Sequence, residues 1–188
     1  MTVPEKKLKT ILLYGGPGSG KSTTAAGIFY KMKRQHYSIE LVTEFAKDMV
    51  YDGQGHVLRS GKHQGYIFAR QHYRLQRLIE HVEWAVTDCP VLMGLAYIPA
   101  EDLERDAIIQ MATVAHKLYD SYNFFLNRPK DFQGYGRVHS LEESIEIDKK
   151  IQQVLLDRDV PFWIMDTSDT VVDEIVNIVI NMETNRST

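Results

Sequence analysis

Short apolar runs alternate with amphipathic stretches along the whole chain of 188 residues. Runs rich in aliphatic, aromatic and β-branched side chains predict five buried strands, at residues 10–14, 38–43, 84–87, 122–126 and 161–165. Between them, apolar residues spaced three and four apart predict helices at 23–32, 45–51, 64–81, 99–119 and 141–157, with a last helix starting at 168 or 169. Ser140 and Glu143 have the spacing of a capping box at the start of the fifth helix. Strands separated by helical crossovers predict an α/β fold, a five-stranded parallel sheet with helices on both faces.

Composition limits the classes of protein that this chain can represent. The net charge of −3 gives no global support for nucleic-acid binding, although a local basic patch stays open. Cys89 is the only cysteine, so an internal disulfide is excluded and a reducing cytoplasm is expected. No apolar stretch is long enough to span a membrane, and the basic N-terminus lacks the pattern of a signal peptide. We expect one cytoplasmic domain over residues 1–188.

A glycine-rich loop between the first strand and the first helix is the most informative motif. It matches G-x-x-x-x-G-K-[ST] at every fixed position, with Gly15, Gly16, Pro17, Gly18, Ser19, Gly20, Lys21 and Ser22. Its backbone N–H groups and the helix N-terminus, through Thr23, suit a chain of phosphates. Lys21 then reaches the β- and γ-phosphates and the Ser22 hydroxyl ligates Mg²⁺. The sequence therefore predicts ATP and Mg²⁺ as cofactors.

Two acidic residues follow neighbouring strands at the edge of the sheet where ligands gather in parallel α/β folds. Asp88 follows the third strand and suits a Mg²⁺ ligand beside Ser22, the alternative being a turn cap before Pro90. Glu44 follows the second strand and suits a general base, or an orienting group, for an acceptor hydroxyl. Its alternative is a capping or first-turn carboxylate of the next helix. The sequence leaves open which of the two acids is the base and which holds the metal.

Polar segments after the last two strands predict further parts of the site. Residues 127–140 have two glycines and several cations and suggest a lid, in which Arg128 and Arg137 stabilise the transferred phosphoryl group. A solvated surface loop is the alternative, and Arg128 is also a candidate for anchoring the loop. Thr167 and Ser168 are expected to contact adenine because they follow the last strand.

The segment at about 44–82 is the predicted acceptor side. Helical spacing puts three arginines on one face, where they suit an acceptor phosphate or form an ordinary solvated basic face: Arg70, Arg74 and Arg77. Three residues near the start of the same helix suit reading or stacking a base: Gln64, Phe68 and Gln71.

Taken together, these motifs resemble a family of small P-loop kinases common in phage genomes. The resemblance rests on the loop at 15–22, the stretch LVTEFAK at 41–47, the stretch TDCP at 87–90 and the pair Gly136 and Arg137. The family is similar to the ribosylnicotinamide kinase domain and, more distantly, to deoxynucleoside and thymidylate kinases. It also includes phage kinases that act on 5-hydroxymethyluracil within DNA, and a phage-encoded protein would work in the host cytoplasm.

The resemblance implies particular roles. In deoxynucleoside kinases a glutamate after the second strand acts as base on a sugar hydroxyl, which corresponds to Glu44. Their third strand ends in Glu-Arg-Ser, whereas this chain has Asp88, Cys89 and Pro90 and so lacks that arginine. We expect a kinase that transfers the γ-phosphoryl group of ATP to a nucleoside, nucleotide or modified nucleobase. The alternative is an ATPase switch that couples hydrolysis to a protein or nucleic-acid partner, and the oligomeric state stays open.

Overall fold

Five parallel strands form the central sheet in a computed structural model, which describes residues 7–59, 63–128 and 140–186, with Arg59 described by its backbone alone. The strands are Lys9–Tyr14 (β1), Ile39–Val42 (β2), Trp84–Thr87 (β3), Asp120–Asn127 (β4) and Trp163–Asp166 (β5). Their order across the sheet is β2-β3-β1-β4-β5, and every neighbouring pair is parallel. The predicted five-stranded parallel α/β fold is confirmed.

Helices cover both faces of this sheet. The described helices are Lys21–Arg34 (α1), Phe45–Tyr51 (α2), Gly55–Arg59 (α3), Gln64–Gln76 (α4), Arg105–His116 (α5), Leu141–Leu156 (α6) and Val171–Arg186 (α7), with a 3-10 helix at Met93–Tyr97.

The apolar run of β1 is continuous because both of its faces are buried. Ile11 and Leu13 pack into a cluster with apolar side chains of α1 and α7. Leu12 and Tyr14 point to the other face, where they pack with the 3-10 helix, α5 and α6. All four side chains are at most 1% exposed, so β1 is the centre of the core.

The start of α6 confirms the predicted capping box. Ser140 Oγ accepts the Glu143 N–H at 3.1 Å, and Glu143 Oε2 accepts the Ser140 N–H at 2.7 Å. Such a cap stabilises a helix by about 1 kcal/mol. It fixes the residue at which α6 begins, and α6 packs against the glycine-rich loop.

Helix ends and short helices are where the sequence predictions were wrong. Helix α5 begins at Arg105 rather than at 99, because Asp102 Oδ1 accepts the Glu104 N–H at 2.8 Å and forms a turn first. Helix α4 ends at Gln76 rather than at 81, and the chain then turns through Glu80, whose φ is 67°. Helix α7 begins at Val171 rather than at 168 or 169, and α3 is a helix that the sequence did not predict.

The strand order brings the predicted site segments to one edge of the sheet. Because β1 lies between β3 and β4, the glycine-rich loop after β1 is flanked by Asp88 on one side and by Arg128 on the other. The ends of β2 and β5, with Glu44 and Thr167 just beyond them, lie further out along the same edge.

Candidate active site

The phosphate-binding loop, residues 15–22, turns tightly from β1 into α1. Gly15, Gly18 and Gly20 have φ values of 139°, 87° and 85°, a region that residues with a Cβ rarely adopt. Space also requires glycine at Gly20, where an added Cβ would lie 2.6 Å from Thr167 Cγ2. Helix α1 has no acidic residue of its own in its first turn, where the positive end of its dipole lies. The loop therefore fits an anionic chain of phosphates.

Lys21 opens α1 and folds back over this loop. Its Nζ donates a hydrogen bond to Gly16 O at 2.9 Å. Burial lowers the pKa of Lys21, and the negative charges of Glu44 and Asp88 oppose that shift. The ammonium group is thus within electrostatic reach of both predicted carboxylates.

Ser22 and Asp88 meet across the ends of β1 and β3. Ser22 Oγ donates to Asp88 Oδ2 at 2.5 Å. The other carboxylate oxygen, Asp88 Oδ1, is buried and has no hydrogen-bond partner among the described residues. A hydroxyl beside a carboxylate oxygen without a partner is a donor set that fits Mg²⁺.

The protein alone offers no complete metal cage in the part of the chain that the structure describes, since no group of three or more His, Cys, Asp or Glu comes together there. Mg²⁺ commonly keeps several waters and is held by one or two protein ligands plus substrate phosphates. Ser22 and Asp88 therefore fit a metal that arrives with a nucleotide rather than a resident ion.

Glu44 stands at the N-cap position of α2, but its side chain makes no capping hydrogen bond. Burial raises the pKa of Glu44, the charge of Lys21 opposes that rise, and the charge of Asp88 adds to it. The alternative that Glu44 caps α2 is thus not supported by its contacts. A half-buried carboxyl with a raised pKa beside a lysine is suited to general base catalysis.

Side chains of α4 hold the turn that carries Glu44. Gln71 Oε1 accepts the Phe45 N–H at 2.9 Å, and Gln71 Nε2 donates to Thr43 O at 3.4 Å. Arg74 Nη1 donates to the same carbonyl at 3.1 Å. Gln71 and Arg74 were expected to bind substrate, whereas here they contact the backbone on both sides of Glu44.

The predicted base-reading residues lie at a closed cleft. Gln64, Phe68 and Gln71 line a cavity of about 20 Å³ between α4 and the 3-10 helix. A cavity of this size holds about one water molecule, whereas ligand pockets measure hundreds of cubic ångströms. A nucleobase therefore enters here only if α4 and the 3-10 helix move apart.

A different opening is lined by Arg70 and Arg74 of α4 and by Arg77, the residue after its end. It is a groove of about 390 Å³ between α4 and the edge strand β2. Arg74 forms an ion pair there with Asp48, and the Arg70 guanidinium lies 5.2 Å from the centre of the Phe45 ring. The expected substrate-binding residues are thus divided between the groove and the closed cleft on another face of α4.

Arg128 follows β4 directly and contacts the glycine-rich loop. Its Nη2 lies 2.7 Å from Asp148 Oδ2, and its Nη1 donates to Pro17 O. The sequence analysis expected Arg128 to stabilise the transferred group or to anchor the segment at 127–140, whereas here its side chain contacts the glycine-rich loop and α6. Arg137 and the rest of the predicted lid, residues 129–139, lie outside the described residues.

Thr167 supports the loop instead of offering its hydroxyl to a base. Thr167 Oγ1 donates to Ser19 O at 3.2 Å and also to Asn127 O. Ser168 Oγ contacts the Thr170 hydroxyl at 3.0 Å in the turn before α7. The expected adenine contact of these two side chains has no support in their hydrogen bonds.

Asp148 and Tyr97 belong to the site, although the sequence analysis did not select them. Asp148 Oδ1 accepts the Gly16 N–H at 2.5 Å, across 132 residues of chain. Burial raises the pKa of Tyr97, and the charges of Glu44 and Asp148 add to the rise, so its phenol lies near both carboxylates. One signal was available: Ser144 and Asp148 fall on the same helical face as Ile151 and Leu155, two polar residues in a buried apolar stripe.

The strand order and the glycine-rich loop define a P-loop NTPase fold. The chain belongs to the AAA domain family AAA_28, whose model matches residues 10–171. No curated protein matches the chain significantly.

Among solved structures, the fold is similar to a crystal structure of thymidylate kinase from Ehrlichia chaffeensis. The two have a TM-score of 0.60 and 14% sequence identity, over 94% of this chain and 98% of that chain. At this identity the likeness concerns the fold. Within the described ranges, none of the helices has the length and apolarity needed to cross a membrane.

Proposed function

We propose that the protein is an ATP- and Mg²⁺-dependent kinase that transfers the γ-phosphoryl group to a hydroxyl of a nucleoside, nucleotide or modified nucleobase. The observation that carries this proposal is the position of Glu44. Its carboxyl does not cap α2, lies within electrostatic reach of Lys21 and Asp88, and has a raised pKa. The fold shared with thymidylate kinase also supports a kinase.

On the donor side, the amides of the loop and of the first turn of α1 bind the phosphates of ATP. With ATP bound, Lys21, which here donates to Gly16 O, would contact the β- and γ-phosphates, and Ser22 and Asp88, whose oxygens meet here, would hold the metal. Mg²⁺ neutralises phosphate charge in such reactions. Arg137, placed by sequence alone, is the candidate for a further cation on the transferred group.

On the acceptor side, Glu44 accepts the proton of the attacking hydroxyl as the new P–O bond forms and the bond to the ADP oxygen breaks. Gln71 and Arg74 hold the Glu44 turn, and Gln64 and Phe68 contact the base once the cleft between α4 and the 3-10 helix opens. In this proposal the acceptor binds beside α4, within the segment at about 44–82. Whether the acceptor is free or part of DNA, as in the phage kinases that this chain resembles, is decided by experiment.

The proposal is tested by giving the protein γ-labelled ATP, Mg²⁺ and a panel of acceptors. The panel contains nucleosides, nucleoside monophosphates, nicotinamide riboside, and DNA with and without 5-hydroxymethyluracil. We expect label on one class of acceptor and none in a parallel reaction with Lys21→Ala. Label on every acceptor at the rate of an enzyme-free control would show that no transfer is catalysed.

Membership of an AAA domain family supports a second candidate, an ATPase that couples hydrolysis to a partner. In this case water takes the place of the acceptor hydroxyl next to Glu44. The same experiment separates the two, because hydrolysis releases all of the label as inorganic phosphate whichever acceptor is present.

The exposed face of α4 supports a nucleic-acid acceptor. Tyr66 and Tyr73, 53% and 60% exposed, alternate with the exposed Arg70 and Arg77 at helical spacings of four, three and four. We call these four residues the α4 stripe. Aromatic rings stack on bases and arginines attract phosphates, which is how proteins bind single strands without sequence preference.

Replacing Arg70 and Arg77 by alanine is expected to weaken binding of a single-stranded oligonucleotide and to make it less sensitive to salt. Loss of two phosphate contacts lowers the slope of log K against log[salt] by about 1.4. Binding is measured by fluorescence anisotropy at several salt concentrations. Lys117→Ala combined with Lys149→Ala, two exposed cations outside the stripe, is the control and should leave the slope unchanged. If the slope of log K against log[salt] is the same in the arginine double variant as in the lysine double variant, the α4 stripe is an ordinary solvated face.

A further inference from the structure

The start of the glycine-rich loop is held by Asp148 of α6 and by Arg128, which follows β4. The Gly16 N–H donates to Asp148 Oδ1 at 2.5 Å, and the carbonyl of the following residue, Pro17 O, accepts from Arg128 Nη1. Asp148 and Arg128 also bind each other, with 2.7 Å between Oδ2 and Nη2. One carboxylate–guanidinium pair thus satisfies a donor and an acceptor of successive residues in the loop.

Gly16 packs closely against α6, and this packing depends on the absence of a side chain at Gly16. A Cβ added at Gly16 would lie 2.7 Å from Ser144 O and 2.8 Å from Asp148 Oδ1. Both neighbours belong to α6, so only glycine allows the helix to approach the loop this closely. The side chains of Arg128 and Asp148 are 10% and 19% exposed, so the pair is largely removed from water.

The negative charge of Asp148 lies beside the glycine-rich loop and has to be neutralised by a cation. Its carboxylate is close enough to Lys21 to raise that lysine's pKa against the effect of burial. It therefore lies beside the place where the phosphates of ATP would bind, and an unpaired carboxylate there would repel them. The guanidinium of Arg128, which contacts Asp148 directly, cancels this charge.

We propose that Asp148 and Arg128 are positioning residues of the donor site: Asp148 holds the Gly16 amide in its phosphate-binding shape, and Arg128 neutralises Asp148 while it holds Pro17 O. In this role Arg128 acts on the loop and not on the transferred phosphoryl group. The inference rests on the donor half of the proposed function, and it assigns a role to an acid that the glycine-rich motif does not contain.

Two variants of Asp148 separate the hydrogen bond that its carboxylate oxygen accepts from the effect of its negative charge. Asp148→Asn keeps an oxygen that accepts the Gly16 N–H, whereas Asp148→Ala removes it. We expect the asparagine variant to keep ATP affinity within about threefold and the alanine variant to lose about tenfold, the effect of one buried hydrogen bond to a charged group. Affinity is measured by titration calorimetry with Mg²⁺ and ATP, which needs no acceptor.

The role of Arg128 is tested by a double-mutant cycle with the same titration. Arg128→Gln leaves the carboxylate unpaired beside the phosphates, so we expect ATP affinity to fall at least tenfold. Adding Asp148→Asn removes that charge, and the double variant should regain most of the loss. Glu146→Gln, on the solvent face of α6, is the control and should bind like the wild type.

Each outcome bears on one part of the account. A double variant as weak as Arg128→Gln alone would mean that Arg128 contacts the nucleotide itself, and the positioning role would be wrong. Unchanged affinity in Asp148→Ala and in Arg128→Gln would overturn it as well. A wild-type protein that does not bind ATP would overturn the donor site of the proposed function, on which this inference rests. Thermal unfolding of every variant identifies any that fails to fold. If a single variant fails, the ATP affinity of the double variant still tests the roles of Arg128 and Asp148.

Discussion

Replacing Lys21 by alanine is expected to abolish phosphoryl transfer while the protein stays folded. Lys21 is the first residue of α1, and its Nζ donates to Gly16 O of the glycine-rich loop at 2.9 Å. Loss of a cation that stabilises developing charge costs on the order of 10³-fold in rate. The measurement is the initial rate of label transfer from γ-labelled ATP to the preferred acceptor.

The fold should tolerate this change well. Burial lowers the pKa of Lys21, so the folded protein gains little from keeping a charge there. We expect the melting temperature to change by at most about 3 °C, which corresponds to about 1 kcal/mol in a chain of this size. Lys33→Ala is the matched control, because Lys33 lies on the same helix in an exposed ion pair with Glu40. Transfer that stays near the wild-type rate in Lys21→Ala would contradict the donor site.

Glu44→Gln is expected to give a loss of comparable size, roughly 10²- to 10⁴-fold in kcat, which is the usual contribution of a general base. The amide has nearly the shape of the carboxyl but cannot accept the proton of the acceptor hydroxyl. Because Glu44 makes no capping hydrogen bond, the variant should keep α2 and bind ATP like the wild type. Kinetics at saturating ATP separate kcat from KM for the acceptor.

The pH dependence of the wild type gives a second test of Glu44. A general base works when it is deprotonated, so activity should rise with pH through the pKa of Glu44. Burial raises this pKa above its ordinary value of 4.5. The acid limb of kcat/KM should therefore lie above the range of an exposed glutamate and should disappear in Glu44→Gln. An acid limb that remains in this variant would assign it to another group.

Glu40→Gln is the control for both tests. Glu40 lies on β2, four residues before Glu44, and its carboxylate pairs with Lys33 at the surface, 2.9 Å away. An exposed pair of this kind contributes little to stability. A loss of activity in Glu40→Gln that matched the loss in Glu44→Gln would point to a general effect of acid removal near β2.

The sequence predicted those parts of the site whose chemistry is local in the chain. The loop at 15–22 carries its own geometry, since the glycines, Lys21 and the start of α1 are contiguous. Asp88 was found because it follows a buried strand, and the strand order then brings it to Ser22 at 2.5 Å. The parallel sheet followed from the alternation of strands and helices.

Contacts between distant segments could not be predicted in this way. Asp148 is 132 residues from Gly16, and no local spacing connects the two. Gln71 has the polarity of a base-reading residue, but whether its amide faces a ligand or the Phe45 N–H depends on how α4 packs against α2. The same holds for Arg70 and Phe68, which share a helix but line different openings.

The predicted start of α5 was wrong for a different physical reason. Residues 99–104 have a proline and acids that suit a first helical turn, and the sequence predicts a helix from Pro99. Asp102 bonds instead to the Glu104 N–H and forms a turn that delays α5 to Arg105. Side chains that compete for backbone N–H groups decide such boundaries, and propensity alone does not resolve that competition.

The central claim is that the γ-phosphoryl group moves to an acceptor hydroxyl next to Glu44. The most direct measurement is the mass balance of γ-label in single turnovers of the wild type, with and without the acceptor mixture. The account predicts that ADP forms at an appreciable rate only with an acceptor and that the label is recovered on this acceptor. ADP formation at the same rate in both cases, with all label as inorganic phosphate, would contradict it and identify the protein as an ATPase.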